Sequence, residues 1–278
     1  SIKRILIFSR SKHRITIYQQ MESVNKKVSV FSLWRDSESY IQRTLKQLES
    51  LEQNNPEILF SYFFYENDSL DNTVSILQDW LKLRSGKFLS ENISFQKEGT
   101  VMTESRMKKM AYYRNRMIEL GRFIDSDYSV IFDSDVIFEK DILYRYLSKV
   151  DSETVMYTPY ISQNIKCKVC NCGKDSYYDV AALYDKNNQR GLIWSCNPFL
   201  NIFDRQNLSM NNPVEVNSAF GGFVLIKSFP LNFCNWRSNG DLEHILFCEE
   251  IKKYGKIKLY PDIKVKVELD GDLIKKYG

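Results

Sequence analysis

The stretch Tyr128-Ser-Val-Ile-Phe-Asp-Ser-Asp-Val-Ile-Phe138 limits the possible folds more than any other. Val130 to Phe132 are apolar without a break, Asp133 and Asp135 follow with only Ser134 between them, and the chain turns apolar again at Val136. A short unbroken apolar run predicts a strand buried on both faces, as in a parallel sheet. Open α/β sheets bind ligands beyond the carboxyl ends of such strands. Two acids at that end can reach one small, hard cation through oxygen ligands. The stretch therefore predicts a divalent-cation site that holds a diphosphate.

The chain leading to it has the matching rhythm. Val28 to Leu33 is a strand, and a helix with Tyr40, Ile41, Leu45, Leu48 and Leu51 on one face follows. Ile58 to Tyr65 is a second strand, ending at Glu66 and Asp68, and a helix with Val74, Leu77, Trp80 and Leu81 inward comes next. Lys87 to Phe95 is a third strand, and a helix opens at Thr103. Alternating strands and helices imply right-handed crossovers and a parallel sheet. Residues 1–27 read as an N-terminal extension or edge hairpin, 28–150 as a ligand-binding half, and 151–278 as a second half of the same domain. Asp151 to Pro213 reads as loop-rich, and Lys256 to Tyr260 as a last strand stopped by Pro261.

Arg114 breaks the apolar stripe of the Thr103 helix, with Met110, Ala111, Met117 and Ile118 around it. A guanidinium there snorkels, pairs with an acid or meets an anionic ligand. Asp125-Ser-Asp127 repeats the acidic pattern, but it precedes the strand and reads as a solvated loop. Val214 to Ile226 carries the pair Gly221-Gly222, suited to a tight bend or to a ligand's close approach.

With 278 residues, 43% of them hydrophobic, the chain has ample core for one large α/β domain. A net charge of +4 spread along it favours an anionic ligand and gives no nucleic-acid footprint. No apolar run approaches the roughly 18 residues of a membrane span. The chain begins at Ser1, so the expected location is the cytoplasm, or a Golgi or ER lumen if the chain is an excised domain. Of six cysteines, Cys167, Cys170 and Cys172 are close in sequence while Cys196, Cys234 and Cys248 are scattered. A structural zinc site usually has a second paired spacing, so free thiols are the expectation, with a disulfide or a metal knot as alternatives.

Acids at two strand ends and one buried arginine suit a nucleotide diphosphate, its phosphates held by a metal and the guanidinium. Here the sequence resembles a family. Phe132-Asp-Ser-Asp-Val136 is similar to the Asp-x-Asp motif of GT-A-fold glycosyltransferases. Glu66-Asn-Asp-Ser-Leu-Asp-Asn-Thr73 resembles a run of the fungal capsule-associated mannosyltransferase family, and Met110-Ala-Tyr-Tyr-Arg-Asn-Arg116 resembles that family's "A-x-x-R-N" helix. Tyr178-Asp179, Asp185 and Ser218-Ala-Phe-Gly-Gly222 follow in the family's order, so the similarity runs from Val28 to Pro261.

The resemblance implies a GT-A-type, Rossmann-like mixed sheet, mostly parallel and flanked by helices, and a hexosyltransferase using Mn2+ or Mg2+. The donor would be a nucleotide sugar, GDP-mannose by family association or a UDP-sugar, and the acceptor a glycan or glycoprotein. Asp133 and Asp135 would hold the metal, with His244 a candidate third ligand. Trp34 and Arg35 would border the base, Glu66 and Asp68 the ribose or base, and Arg114, Asp133 and Ser134 the ribose-diphosphate. Glu243, with Asp241 beside it, would be the base of an inverting enzyme or an acceptor contact in a retaining one. Trp194, Asn197, Gly221, Gly222 and Trp236 would line the acceptor pocket. A nucleotidyltransferase would have a Gly-rich loop where this chain has Ser32-Leu-Trp-Arg-Asp36. A binding module that kept the fold and lost turnover is the non-enzymatic alternative.

Overall fold

A computed structural model describes residues 25–95, 103–240 and 242–269; the expected extension falls almost wholly outside the described residues. The alternating pattern folds as its periodicity implies. Strand β1 (Lys26–Trp34) leads into helix α1 (Glu38–Asn54), which buries Ile41, Leu45, Leu48 and Leu51 along one face. Each such side chain is worth about 1.5–3 kcal/mol when removed from water. Then come β2 (Ile58–Asn67), α2 (Thr73–Leu81), β3 (Gly86–Glu91), α3 (Glu104–Gly121) and β4 (Tyr128–Asp133). Thr103 caps α3 by accepting from the Arg106 N–H at 3.1 Å. Strands β1, β2, β3 and β4 pair in parallel, so their carboxyl ends share one edge. Asp133 lies on that edge, whereas Asp125 and Asp127 are exposed at the other end of β4, against Lys27.

The rest of the chain joins the same sheet. It comprises β5 (Ile137–Phe138), α4 (Ile142–Leu147), β6 (Thr154–Lys166), β7 (Asp175–Tyr177), β8 (Tyr184–Asp185), α5 (Ile202–Ser209), β9 (Val214–Ser218), β10 (Phe223–Lys227), α6 (Ser228–Leu231), α7 (Glu243–Ile251) and β11 (Lys256–Val267). The strand order is β3-β2-β1-β4-β10-β6-β11-β9-β8, with β5 on β11 and β7 on β6. The result is the mixed, helix-flanked sheet expected; its antiparallel pairings gather in the second half.

Two expectations are corrected. The stretch read as loop-rich contains β6, the longest strand, whose polar Ser162, Gln163 and Asn164 disguise it. The final strand does not stop at Pro261: β11 continues to Val267, with a register shift between Tyr260 and Lys264 that accommodates the missing N–H. One pairing positions the site. β10 runs antiparallel to β4, with Phe223 opposite Phe132, so the turn before β10 lies beside the acids after β4.

Candidate active site

Helix α1 fixes the backbone of the acidic turn. Thr44 Oγ1 donates to the Ser134 carbonyl at 2.7 Å, Arg43 Nη2 to the Asp135 carbonyl at 2.9 Å, and Gln47 Nε2 to the Val136 carbonyl at 3.3 Å. The Tyr40 hydroxyl is 3.3 Å from Ser134 Oγ. Arg43 and Thr44 lie four and three residues before Gln47, the spacings that share a helix face, so one side of α1 covers three successive carbonyls. From the other side the Asp133 N–H donates to the Gly222 carbonyl at 2.9 Å. With its carbonyls bound, the turn can present both carboxylates to the cleft.

Gly221 and Gly222 have φ of +67° and +66°, and a Cβ on Gly222 would lie 2.7 Å from Val136 Cγ1. A left-handed backbone pressed against a neighbour admits only glycine here. The turn leaves the Gly221 N–H pointing at Asp179 Oδ2, 2.9 Å away. Asp179 follows β7 and carries a fourth acid to the cleft; sequence reading saw it only as part of a family order.

Arg114 lies at the centre. Its guanidinium bonds Asp133 Oδ1 through Nη2 and Glu243 Oε1 through Nε, each at 3.2 Å, and sits 5.2 Å from the Phe220 ring. It is 4% exposed and Glu243 3%. The apolar stripe thus conceals an ion pair across the sheet's ligand edge. The next residue shows why arginine and asparagine come together: Asn115 donates to the Trp236 carbonyl at 2.9 Å and accepts its N–H at 2.8 Å. Asn115 thereby docks the segment leading to α7, which brings Glu243 to Arg114.

The acids outnumber this cation. Burial in the cleft, then repulsion from Asp133, pushes the Asp135 carboxyl up to about 6, although its outer face meets solvent. Burial likewise pushes Asp179 up to about 7; the Gly221 N–H opposes this, while Asp133 and Glu243 reinforce it. Tyr178, exposed beside these acids, forms the lip.

The second expected cluster is built differently. Trp34 is buried core, tilted on Phe64 and edge-on to Phe132, and does not border a ligand. Glu66 is 1% exposed and closes its own loop, accepting from the Ser69 N–H at 2.7 Å and from Ser90 Oγ at 2.5 Å. Asp68, at φ +54°, accepts the N–H groups of Ile93 and Ser94 at 2.8 Å each. Burial raises its carboxyl, but bonds from Asn67, Ser94 and Ile93, with Arg35 near, carry it below the usual range. Arg35 remains half-buried at the cleft, 3.9 Å from Asp68 and donating to the Phe95 carbonyl.

Several acceptor-side expectations also change. Trp236 is stacked on Phe247 at 3.7 Å and belongs to the core. His244 stacks on Phe220 at 3.9 Å and accepts from Trp236 Nε1 at 3.4 Å through Nδ1, while its Nε2 lies 3.7 Å from Glu243 Oε1. Burial, then Arg114, holds it well below the ordinary histidine value and hence neutral. Asn197 donates to the Arg205 carbonyl and braces α5. Trp194, half-buried at φ +58°, lies beside Lys168. Asp241 falls outside the described residues.

No protein-family model and no curated protein matches the chain, so the capsule-type likeness rests on the motif residues alone. Solved structures do match. Staphylococcus aureus TarS 1–349 in complex with UDP-GlcNAc aligns with a TM-score of 0.54 at 14% identity, over 88% of this chain and 59% of that one. GalNAc-T7 with UDP, GalNAc and Mn2+ aligns at 0.55 and 14%, over 89% and 44%. The mannosyltransferase PcManGT from Pyrobaculum calidifontis, with GDP-Man and Mn2+, aligns at 0.53 and 11%, over 90% and 59%. The chain thus spans about half the length of these proteins and has the GT-A fold they share.

Proposed function

We propose that this chain is a metal-dependent glycosyltransferase that moves a hexose from a nucleotide sugar to a glycan or glycoprotein acceptor. The observation that carries the proposal is buried Arg114 joining Asp133 to Glu243 at the carboxyl end of β4, in a fold shared with nucleotide-sugar transferases. Asp133 and Asp135 would hold Mn2+ or Mg2+. The residues fit such an ion: carboxylate charge exceeds what Arg114 neutralises, and Asp135 is pushed towards its protonated form first by burial and then by Asp133. A divalent cation there offsets the charge that grows on a departing diphosphate.

The chain's own groups do the rest. Arg114 Nη1 is buried without a hydrogen-bond partner among the described residues, so the guanidinium keeps a donor for a phosphate oxygen. Glu243 fixes the guanidinium plane through Nε and keeps Oε2 unpartnered among the described residues. Asp179 and Glu243 are the carboxylates for the acceptor hydroxyl, with Tyr178 and Trp194 as faces against which a sugar ring packs. Arg35 lies where a base or ribose would meet the first strand's end. The capsule-type motifs favour GDP-mannose, and UDP-sugars are the competing donors.

Thermal shift with Mn2+ and a panel of GDP- and UDP-sugars tests this. Metal and nucleotide sugar together should raise Tm well beyond either alone, by mass action on the folded state. If no nucleoside diphosphate, with or without metal, moves the transition, the reading fails.

A further inference from the structure

Far along the chain from the acids, four thiols meet. Cys167 follows β6, Cys170 and Cys172 lie in the loop before β7, and Cys196 arrives from the segment before α5. Cys170 Sγ is 3.3 Å from Cys167 Sγ and 3.4 Å from Cys196 Sγ, and Cys172 Sγ is 3.4 Å from Cys196 Sγ. All four sulfurs lie within 4.8 Å of one another. The thiols are free, as spacing leads one to expect, and are gathered because Cys196 supplies the member that the sequence pattern lacked.

We propose that Cys167, Cys170, Cys172 and Cys196 bind one structural zinc ion that pins the second half of the cleft in place. The separations exceed a disulfide's roughly 2.05 Å by more than an ångström, and all four cysteines are unbridged. A tetrahedron with Zn–S bonds of about 2.3 Å has edges of about 3.8 Å, inside the observed span. The quartet is too tight for an iron–sulfur cluster, which holds its cysteine sulfurs further apart around several irons.

The surroundings suit thiolates. The N–H groups of Val169, Cys170 and Cys196 point at Cys167 Sγ, that of Cys172 at Cys170, and that of Lys174 at Cys172. Asn171 at φ +48° and Gly173 at φ +72° turn the loop so that these amides face inward. Lys168 and Lys174 flank the cysteines in the sequence, while Lys166 pairs with Asp175 at 2.7 Å. Cys170 and Cys172 are exposed, so apolar burial does not explain the gathering.

The quartet also has something to hold. The Lys168 N–H donates to the Trp194 carbonyl and the Tyr177 N–H to the Ser195 carbonyl, each at 2.8 Å, and the Tyr160 hydroxyl donates to the Cys196 carbonyl at 2.8 Å. These bonds tie residues 194–196 to β6 and β7, and β7 runs directly into Tyr178 and Asp179. Zinc there would brace the wall opposite Asp133 without touching the reacting atoms. The inference stands whether or not the transferase reading holds.

Elemental analysis of the full chain, purified under reducing conditions without added metal, tests it. About one zinc per chain is expected, released by an organomercurial thiol reagent and detected with a chromophoric chelator. Cobalt(II) in its place should give the visible absorption of a tetrahedral tetrathiolate. Cys172→Ser should lose the zinc and Cys234→Ser should keep it. Wild-type protein with stoichiometric iron, with a disulfide within the quartet, or with four thiols that alkylate freely and no metal would overturn the proposal, even if the serine variants fail to fold.

Discussion

The acidic turn after β4 and the cysteine loop after β6 both gather side chains able to hold a metal, by opposite means. Asp133 and Asp135 are hard oxygen donors on a turn that the protein already holds, its carbonyls bound by α1. The cysteines are soft donors on two loops joined by a few backbone bonds. Protein organises the first site and leaves its ligands short of positive charge; the proposed zinc would itself organise the second. A site held by protein can exchange its metal and act on a substrate, while a site held by its metal must keep it.

The largest test of that contrast is Asp135→Asn against Cys172→Ser. Asp135→Asn should cut sugar-nucleotide turnover by at least about 10³-fold, the scale for losing a preorganised electrostatic contact. It should leave the metal-free Tm no lower, because it removes a carboxylate whose charged form the cleft disfavours. Cys172→Ser should do the reverse, lowering Tm sharply while transfer persists at low temperature. Full activity in Asp135→Asn would remove the metal role from that residue.

Arg114→Ala comes next. It leaves Glu243 charged and buried with its partner gone, which costs about 3–5 kcal/mol, read from urea unfolding monitored by tryptophan fluorescence. Adding Glu243→Gln should recover much of this without restoring activity. A loss confined to activity would mean that the pair is not the strut described.

What was legible follows the same contrast. Apolar runs, helical stripes and the acids at a strand end are local, so the sheet up to β4 and its acidic turn could be read residue by residue. Arg114 was visible as an anomaly, a charge in an apolar stripe, but not its partner Glu243, 129 positions away. Asp179 and Cys196 carry no local signal, since each gains meaning only from a neighbour that the fold delivers. Trp34 and Trp236 misled for a complementary reason. Their chemistry suits a site, yet aromatic faces fill cores more often than pockets, and here each has an aromatic partner in the interior.

pH separates the two sites more finely. Asp135 and Asp179 have folded-state values near 6 and 7, above the ordinary aspartate value. The folded state therefore binds more protons than the unfolded one between about pH 4 and 7. Stability of the metal-free protein should fall as pH rises through that window and level off above it. Mn2+ should restore a few degrees of Tm at pH 8 and almost nothing at pH 5, where protons occupy the carboxylates. A calorimetric series with and without Mn2+ reads both trends, and Asp179→Asn should flatten the metal-free one. A metal-free protein that grows more stable across the same window would show that these acids are better neutralised than the cleft geometry implies.

The smallest effect concerns how the acidic turn is held. Thr44→Val keeps shape and removes the hydroxyl that donates to the Ser134 carbonyl in a buried setting. Losing that bond should cost about 1 kcal/mol of stability. If α1 positions the turn, the variant should also weaken Mn2+ binding several-fold while zinc content stays unchanged, because among the described residues no bond of α1 reaches the cysteine loop. Calorimetric Mn2+ titration of the two proteins distinguishes this from plain destabilisation, which lowers Tm and leaves the affinity of the folded protein where it was. A several-fold weaker affinity with normal zinc content would mean that hydrogen bonds alone hold the acidic turn in shape, as no ion needs to.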